Sequence, residues 1–547
     1  MGAVYLFHDL FGYLMEMSPD IAEMIESFSD GVDTKETTAY YQGKFGDADP
    51  AQFVETLVGH AVLVDPAEDE IEGIWPMAPI HGKWNVWRRR DGRLTLWTAW
   101  GDSPVQQILL DEAETAIWDA FDGNKRLIEL RHHHDNAKII SLVRKLTHSD
   151  VQALKLSVMP WSVYAKRPAM APPYLTSTMP YARWTPGTRV PGTREAQAGD
   201  ARASMEIISP TENYKEDVTD ADAQFDHQET TLSHLLRIPH PALGGRTYGQ
   251  KLGDVLLARG AVPEGRIRVL EIGAGLGYVA KDLLATLTAA GREVEYTIVE
   301  LAPALAKAQQ ERIGEKAATW VMGDALSVTL IERHYDLILS NEMVGDLPAI
   351  QLTRADLGLA PDQGNVDRAK VAVYSKVAAD REINLDDAPE PLYLMSGAFE
   401  LTDKIGAWLA PGGTAVITEF GAQAAWPKLS THLDHPEFST HFGQLHQIAK
   451  NGGLEAKIEF VIDLLDFDRD QKGLATTRSH FRALRALAAA ADVDLPKIGF
   501  TPELLAQAVG DKLDISTVGE LRWDRIEDRL MGLVPHEFKA LVIKRPA

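Results

Sequence analysis

Glycine residues alternate with other residues in the stretch "VLEIGAGLG" at 269–277, a spacing that suits a loop beside a bound nucleotide. Gly273, Gly275 and Gly277 follow a short apolar run that contains Glu271. Because glycine has no Cβ, such a loop lets the main chain approach a ligand closely. The pattern therefore predicts a nucleotide-type cofactor, which is either a dinucleotide or an adenosyl sulfonium.

Two further acidic residues follow apolar runs downstream of this loop. Glu300 ends "YTIVE", and Asp324 follows "WVMG". A carboxylate at 300 could accept hydrogen bonds from both hydroxyls of a ribose, and one at 324 could accept from the exocyclic amine of an adenine. We assign their sequence neighbours Leu301, Gly323 and Ala325 to the same cofactor site.

Alternating strands and helices must position these residues. The pattern predicts strands at 266–275, 294–301, 318–326, 335–343 and 412–421, and helices at 277–291, 303–314 and 397–411. This alternation is typical of an α/β, doubly wound parallel sheet, in which ligands lie beyond the carboxyl ends of the strands. The final run "HEFKALVIKR" is predicted to form an antiparallel last strand.

The glycine spacing distinguishes between the two cofactor classes. A dinucleotide fingerprint reads G-x-G-x-x-G, whereas here the third glycine falls two residues after the second. The order E-x-G-x-G-x-G, led by Glu271, resembles motif I of class I S-adenosylmethionine methyltransferases, and Gly323-Asp324 resembles their adenine-binding turn. The resemblance implies a Rossmann-like class I domain with S-adenosyl-L-methionine as cofactor. An NAD-dependent oxidoreductase and a scaffold without ligand are the alternatives.

The stretch "SNEMVGDLPAIQL" follows the fourth predicted strand, where a class I methyltransferase faces its acceptor. It resembles the MidA family of protein arginine methyltransferases, whose motif reads Asn-Glu-x-x-Asp-Ala-Leu-Pro. Asn341 and Glu342 match this motif, whereas the family's aspartate is displaced by one residue to Asp346. In the segment 429–467, which also resembles this family, His432 and Asp434 match a His-x-Asp pair.

The MidA resemblance covers about 265–467 and implies methylation of a side-chain nitrogen such as that of arginine. A guanidinium attacks a methyl group only if a lone pair is localised on one nitrogen, which a bidentate carboxylate can achieve. Glu342 is the candidate clamp, and a carboxylate that caps the following helix is the alternative. The predicted catalytic set is Asn341, Glu342, Asp346, His432 and Asp434.

A polar segment at 223–262 precedes the glycine loop and is predicted to lie over the cofactor as a lid. Arg246 and Tyr248 are candidates to bind the carboxylate of the cofactor or of a substrate, and an ordinary surface segment is the alternative. If the acceptor were a carboxylate, Arg246 or the neighbouring histidines would grip it instead of Glu342.

The first 162 residues contain a similar pattern twice, in 1–75 and 76–162. Each copy has apolar strands and then helices, and Asp91-Gly92 suits a type I′ hairpin turn. Ser18 is a predicted N-cap. The pattern resembles PqqD-like winged-helix modules, which implies two small α+β modules that recruit a peptide or protein substrate, such as a ribosomally made precursor. A scaffold or dimerisation role, and hence a homodimer, is the alternative, as is a non-catalytic assembly factor.

The remaining segments complete the predicted organisation. A Pro- and Gly-rich linker is predicted at 163–222, and the methyltransferase domain at 223–547. Within that domain we expect an insert at 356–393 and a helical elaboration at 429–530, where Phe481, Leu484 and Leu487 share a helix face and Thr501 begins another helix.

Composition excludes several classes of function. The 547 residues carry 79 acidic against 55 basic side chains, which disfavours binding to nucleic acid or an anionic membrane. The chain has no cysteine, so disulfides and thiolate chemistry are excluded. The "RHHHD" run at 131–135 is predicted to bind no metal, because consecutive helical side chains diverge. We find no signal-peptide pattern and expect a cytoplasmic protein.

Overall fold

The structure is a computed structural model that describes residues 4–8, 13–28, 34–44, 49–59, 63, 75, 77–82, 85–99, 104–148, 151–157, 206–208, 231–353, 375–386, 388–389, 391–432, 435–527 and 537–547. The chain divides into two compact units. The first unit contains Met1–Ala201, Thr476–Leu495 and Ala506–Arg522. The second contains Arg202–Ala475, Pro496–Leu505 and Trp523–Ala547.

The described elements up to residue 208 form hairpins and short helices. They are β1 (Val4–His8), β2 (Tyr13–Met17), α1 (Pro19–Ser27), α2 (Thr34–Gln42), α3 (Pro50–Gly59), β3 (Ala78–His81), β4 (Asn85–Arg90), β5 (Arg93–Thr98), β6 (Gln106–Leu110), α4 (Glu112–Asp119), α5 (Leu127–Leu130), α6 (Asn136–Thr147), β7 (Leu154–Ser157) and β8 (Glu206–Ile208).

The described elements from residue 231 onward begin with alternating strands and helices. They are α7 (Leu232–Leu235), α8 (Tyr248–Ala258), β9 (Arg266–Ile272), α9 (Tyr278–Ala289), β10 (Glu293–Glu300), α10 (Pro303–Ile313), β11 (Thr319–Met322), β12 (Tyr335–Asn341), β13 (Ala349–Leu352), β14 (Leu392–Leu394), α11 (Ser396–Trp408), β15 (Leu409–Ala422), β16 (Leu429–His432), β17 (His435–Phe438), β18 (Thr440–His441), α12 (Phe442–Asn451), β19 (Glu455–Phe460), α13 (Val461–Leu464), β20 (Lys472–Leu474), α14 (Arg478–Ala489), α15 (Pro502–Val509), β21 (Val518–Gly519), β22 (Trp523–Arg525) and β23 (Phe538–Lys544). In the part of the chain that the structure describes, no helix is long and apolar enough to cross a lipid bilayer.

The first unit contains a four-stranded sheet in the order β21-β4-β5-β6. The predicted hairpin is present: β4 pairs with β5, and Asp91 and Gly92 both have positive φ, at 50° and 75°. A type I′ turn requires this conformation at both central residues. Strands β6 and β21, which extend the hairpin on either side, were not predicted.

Three helices follow a strand directly in each of the two N-terminal segments. Ser18 caps α1, since its hydroxyl accepts a hydrogen bond from the Ile21 amide at 3.3 Å, as predicted. Asp111 caps α4 in the same way and forms a reciprocal capping box with Glu114. Among the described residues, strands come before helices in both segments, except that β7 follows α6. The winged-helix assignment stays a prediction.

Helix α14 lies in the first unit, although the sequence placed residue 478 onward in the methyltransferase domain. Its predicted apolar face is present, because Phe481, Leu484 and Leu487 are buried. After α15, strand β21 pairs with β4 at Arg88 and Trp87. This sheet pairing joins residues that are more than 400 positions apart, which no local pattern could predict.

The second unit is built on a sheet of seven consecutive neighbours in the order β11-β10-β9-β12-β15-β23-β19, with β18 paired to β15. The strands from β11 to β15 are parallel, whereas β23 is antiparallel to both of its neighbours. The predicted α/β doubly wound sheet and its antiparallel last strand are therefore confirmed. The strand order reverses between β9 and β12, and ligands bind at such a switch point.

Helix α8 packs unusually close to α9, the helix that follows the glycine loop. A Cβ on Gly249 would lie 2.8 Å from the Val279 carbonyl oxygen, and one on Gly253 would lie 2.9 Å from Thr286 Cγ2. Glycine at these two positions thus permits a backbone approach that any side chain would block. This contact holds the segment before α8 beside the loop at 273–277.

Candidate functional site

A cavity lies at the carboxyl ends of β9, β10, β11 and β12. This is the edge at which the topology predicts a ligand. The cavity is lined by Thr231, Ser233, His234, Glu271, Ile272, Gly273, Ala274, Gly275, Leu276, Tyr278, Val279, Val299, Glu300, Leu301, Leu305, Gly323, Asp324, Ala325, Asn341, Glu342, Met343, Asp346, Leu347 and Glu437.

Most of the predicted cofactor residues meet around this cavity. The structure brings together Glu271, Gly273, Gly275, Glu300, Leu301, Gly323, Asp324, Ala325 and Asn341. Gly277, Arg246 and Tyr248 are not among the residues that line it. The set that the sequence placed at strand ends converges because parallel strands end at one edge.

Glu300 is held rigidly at the end of β10. One carboxylate oxygen accepts hydrogen bonds from the amides of Leu301 and Ala302, at 2.8 and 2.9 Å. The other accepts from Gln309 Nε2 at 2.7 Å. Burial raises the pKa of Glu300, and these donors oppose that rise by stabilising the charged form. The carboxylate is therefore pre-oriented as an acceptor for hydroxyl groups.

Glu271, the acid of the glycine motif, is buried beneath the loop. Its carboxylate accepts a hydrogen bond from the Tyr296 hydroxyl at 2.6 Å. Burial raises the pKa of Glu271 to about 7, the hydrogen bond from Tyr296 opposes the rise, and the negative charge of Glu300 adds to it. This side chain can therefore exchange a proton near neutral pH.

The glycine loop has the left-handed backbone that favours glycine, with φ of 68° at Gly273, 51° at Gly275 and 78° at Gly277. Two of these residues also face protein atoms. A Cβ on Gly273 would lie 2.8 Å from Met343 Cγ, and one on Gly277 would lie 3.2 Å from Gln309. Gly277 therefore serves the packing of α10 against the loop and does not line the cavity as expected.

Arg246 and Tyr248 occupy positions other than the predicted ligand contacts. The Arg246 guanidinium forms a bidentate pair with Asp254, at 2.8 and 3.0 Å. The Tyr248 ring is fully buried, and burial raises its pKa well above the usual range, with the charge of Glu342 as a further cause. Neither side chain is among the residues that line the cavity.

Asn341 and Glu342 line the cavity and contact the segment that precedes α8. One Glu342 oxygen accepts from the Leu232 amide at 2.6 Å, and the other accepts from the Ser233 amide at 3.0 Å. The Glu342 carboxylate therefore accepts hydrogen bonds from main-chain amides, which is the type of contact that the helix-capping alternative predicted. The helix that it contacts is α7, about 110 residues earlier, and not the helix that follows.

Asp346 belongs to a cluster of carboxylates that also contains Glu419 and Glu437. Asp346 and Glu437 line the cavity, and Glu419 is buried behind Gly345, whose amide donates to it at 3.0 Å. Burial raises the pKa of Glu419 well above its usual range, and the charges of Glu437 and Asp346 add to that rise. The part of the cavity beside these three carboxylates is therefore strongly acidic.

His432 and Asp434 are the remaining predicted catalytic residues. The backbone of His432 lies in β16, which pairs with β17, the strand that carries Glu437. The His432 side chain and the whole of Asp434 lie outside the described residues. Their catalytic role stays a prediction.

Sequence reasoning missed several residues of the site. Glu419 lies near the end of the predicted fifth strand, so the rule that selected Glu300 would also have selected it. Glu437 had no such signal, because it reaches the cavity through the β16-β17 hairpin. Tyr278 lies beneath the Arg312 guanidinium, 3.9 Å from the ring centroid, and His234 meets its ring edge to face.

Residues 255–422 match the family model described as "Putative S-adenosyl-L-methionine-dependent methyltransferase". Malonyl-acyl-carrier-protein O-methyltransferase of Anoxybacillus flavithermus is 35% identical over 108 residues, which are 20% of this chain and 39% of that protein. The chain thus spans about two fifths of the length of this curated relative.

Solved structures also match at low TM-scores. An uncharacterised protein from Burkholderia thailandensis has 17% identity and a TM-score of 0.33, covering 64% of this chain and 91% of the other. A protein from the same organism bound to S-adenosyl-homocysteine has 18% identity and a TM-score of 0.31, with the same coverage. Haemonchus contortus phosphoethanolamine N-methyltransferase 2 with S-adenosyl-L-methionine has 14% identity and a TM-score of 0.29, covering 61% of each chain.

The second unit therefore carries an S-adenosylmethionine-dependent methyltransferase domain, with S-adenosyl-L-methionine as its cofactor. The side chains that face the cavity fit that cofactor. Glu300 offers a fixed acceptor at the end of β10, and Asp324, whose Oδ1 binds the Leu326 amide at 2.8 Å, offers another beyond β11. The family description names the cofactor and the reaction type, and it does not name an acceptor.

Replacing Glu300 by Gln should weaken binding of S-adenosylhomocysteine about tenfold or more. The new amide nitrogen would face N–H groups that now donate hydrogen bonds to the carboxylate. Because two donors cannot bond to each other, the side chain would turn away. Isothermal titration calorimetry measures the change. Glu295→Gln, an exposed position on the same strand, is the matched control, and equal affinities for all three proteins would contradict the assignment.

Replacing Glu271 by Gln should remove a pH dependence of stability. Because the pKa of about 7 exceeds the ordinary 4.5, the folded protein binds this proton more tightly, so unfolding free energy falls as pH rises from about 4.5 to 7. The Tm of the variant minus that of the parent should therefore increase between pH 5 and pH 8, measured without cofactor. Glu293→Gln is the control, and a pH-independent difference would refute the shift.

Proposed function

We propose that this protein transfers a methyl group from S-adenosyl-L-methionine to a basic nitrogen of a peptide or protein, with an arginine side chain as the favoured acceptor. The observation that carries the proposal is the acidic acceptor end of the cavity, which Asp346 and Glu437 line, with Glu419 nearby. The MidA-like residues Asn341 and Glu342 line the same cavity.

The charge of this end favours a cationic acceptor. Two opposite unit charges 4 Å apart attract each other by about 4 kcal/mol at the intermediate dielectric near a protein surface. A guanidinium or ammonium group would gain this attraction from Asp346 and Glu437. The cationic group would also reduce the repulsion that Asp346 and Glu437 exert on Glu419, and would therefore lower the pKa of Glu419.

The protein's own groups would bind, orient and deprotonate the acceptor. When bound, S-adenosyl-L-methionine supplies a methyl group on a positively charged sulfur. Asp346 and Glu437 would hold the acceptor nitrogen for in-line attack, since near-attack positioning provides much of the acceleration in such displacements. A carboxylate of this cluster would also take the proton that the nitrogen loses.

A carboxylate acceptor is the second candidate. Its support is the relative from Anoxybacillus flavithermus, which is an O-methyltransferase and is 35% identical over 108 residues. An anionic acceptor would meet repulsion from Asp346 and Glu437, whereas a cationic one would not. We therefore rank nitrogen methylation first.

We further propose that the first unit recruits the peptide. Strand β6 lies at one edge of the four-stranded sheet, and its Leu109 side chain is 61% exposed. An extended peptide can add to such an edge through main-chain hydrogen bonds, with side-chain contacts that give specificity. The PqqD-like order of elements in this part of the chain agrees with that use.

Asp346→Asn and Glu437→Gln should each lower kcat/KM for an arginine-containing peptide at least tenfold while leaving the Kd for S-adenosylhomocysteine within about twofold. Transfer of a labelled methyl group measures the first quantity, and calorimetry the second. Glu455→Gln, an exposed acid on β19, is the control. The product should resist base, and a base-labile ester on an acidic peptide would overturn the nitrogen assignment.

Leu109→Lys should raise the KM for the peptide several-fold without changing kcat, because it removes an apolar contact and adds a charge that repels a basic partner. Ile128→Lys replaces another exposed apolar residue of the first unit and should leave KM unchanged. Steady-state kinetics with the full-length chain measure KM and kcat for the parent and both variants. Equal KM values for both variants and the parent would assign β6 a structural role.

A further inference from the structure

Residues 231–236, here named the strap, contribute Thr231, Ser233 and His234 to the lining of the cofactor cavity. The strap contains α7 and precedes α8. Its apolar side chains at Leu232, Leu235 and Leu236 are buried. It therefore forms a wall of the site and is packed within the second unit.

Glu342, which directly follows β12 and lines the cavity, binds the strap. Each of its two oxygens accepts one main-chain hydrogen bond from the strap, from Leu232 at 2.6 Å and from Ser233 at 3.0 Å. Hydrogen bonds to an ionised carboxylate are about twice as strong as neutral ones. The Glu342 carboxylate, which a guanidinium clamp would need, is thus directed at these two amides.

Asn341 provides a second tie between the same elements. Its Nδ2 donates to Ser233 Oγ at 3.0 Å and to a Glu342 oxygen at 3.2 Å. Its Oδ1 accepts from the Thr418 hydroxyl at 2.8 Å, which fixes the orientation of the amide. The strap is therefore joined to the ends of both β12 and β15.

The backbone at Glu342 is unusual for a residue with a side chain, because its φ is 52°. This left-handed conformation is unfavourable for a residue that has a Cβ. The Glu342 amide donates to the Thr418 carbonyl at 2.9 Å and holds the turn in place. The strained turn aims the carboxylate at the strap, and such strain is often retained where function requires a fixed direction.

The strap has two further anchors within the second unit. The Tyr248 amide donates to the Leu236 carbonyl at 2.9 Å, and the Gly499 amide donates to the Leu235 carbonyl at 2.8 Å. These bonds hold its C-terminal end. The carboxylate of Glu342 holds its N-terminal end, where Thr231 and Ser233 reach the cavity.

We propose that Glu342 is a positioning residue that fastens the strap over the cofactor, so that it governs cofactor affinity and residence and does not grip the acceptor. The inference rests on the proposed function, since the cavity must bind S-adenosyl-L-methionine. Acceptor recognition then falls to Asp346 and Glu437.

The test uses the full-length protein and S-adenosylhomocysteine as the probe. Glu342→Gln should raise its Kd about tenfold, because an amide nitrogen replaces one of the two acceptors. Amide hydrogen exchange at Leu232 and Ser233 should become at least tenfold faster even without the probe. The KM for the peptide, measured at saturating cofactor, should change less than twofold.

Glu382→Gln is the matched control, because Glu382 is also a glutamate with positive φ, at 56°. It should match the parent in Kd and in exchange. If Glu342→Gln does not fold, Ser233→Ala removes the bond to Asn341 and should raise the Kd several-fold in the same direction.

Two results would separate failure of this inference from failure of the proposed function. A parent-like Kd and parent-like exchange for Glu342→Gln, with a raised peptide KM, would make Glu342 an acceptor clamp and overturn the inference. No binding of S-adenosylhomocysteine by the parent would overturn the proposed function, and the exchange measurement would still decide whether Glu342 fastens the strap.

Discussion

Four glutamates lie at or near the carboxyl ends of adjacent parallel strands, and each accepts hydrogen bonds from nearby donors. Burial penalises the charge of three of them, Glu271, Glu300 and Glu419. Glu271 receives the Tyr296 hydroxyl, and Glu300 receives two amides and Gln309. Glu342 receives two amides of the strap, and Glu419 receives the amides of Gly345 and Phe420. A buried carboxylate without such partners would cost several kcal/mol. The loops around the cavity are consequently shaped to supply these donors.

This requirement divides the acidic residues by role. Glu300 is satisfied on both oxygens by its own neighbourhood and is held at the cavity surface as a rigid acceptor. The carboxylate of Glu342 is directed at the strap. Asp346 and Glu437 line the same cavity, and burial together with their charges raises the pKa of the nearby Glu419. Under the proposed function, cofactor binding and acceptor binding would depend on different carboxylates of one cavity.

Local patterns predicted the architecture of the second unit well. The strands around Glu271 and Asn341 lie within the predicted ranges, and the strand around Glu300 begins one residue earlier than predicted. Apolar runs bounded by glycine and acid specify buried parallel strands. The hairpin at Asp91-Gly92 was predicted for a similarly local reason. Two candidates for the cofactor site do not line the cavity: Arg246 pairs with Asp254, and Gly277 packs on Gln309. Neither partner choice has a local signature.

The sequence by itself determined which residues would stand at the ends of the parallel strands, because strand periodicity and glycine spacing are local properties of the chain. The resemblance of the glycine spacing to motif I of class I methyltransferases implied the cofactor class. Tertiary structure alone decided what each carboxylate faces: Glu342 meets amides about 110 residues away, and Glu437 arrives through a hairpin. The physical reason is that hydrogen-bond partners of buried charges are selected by packing in three dimensions, which leaves no periodic trace in the sequence.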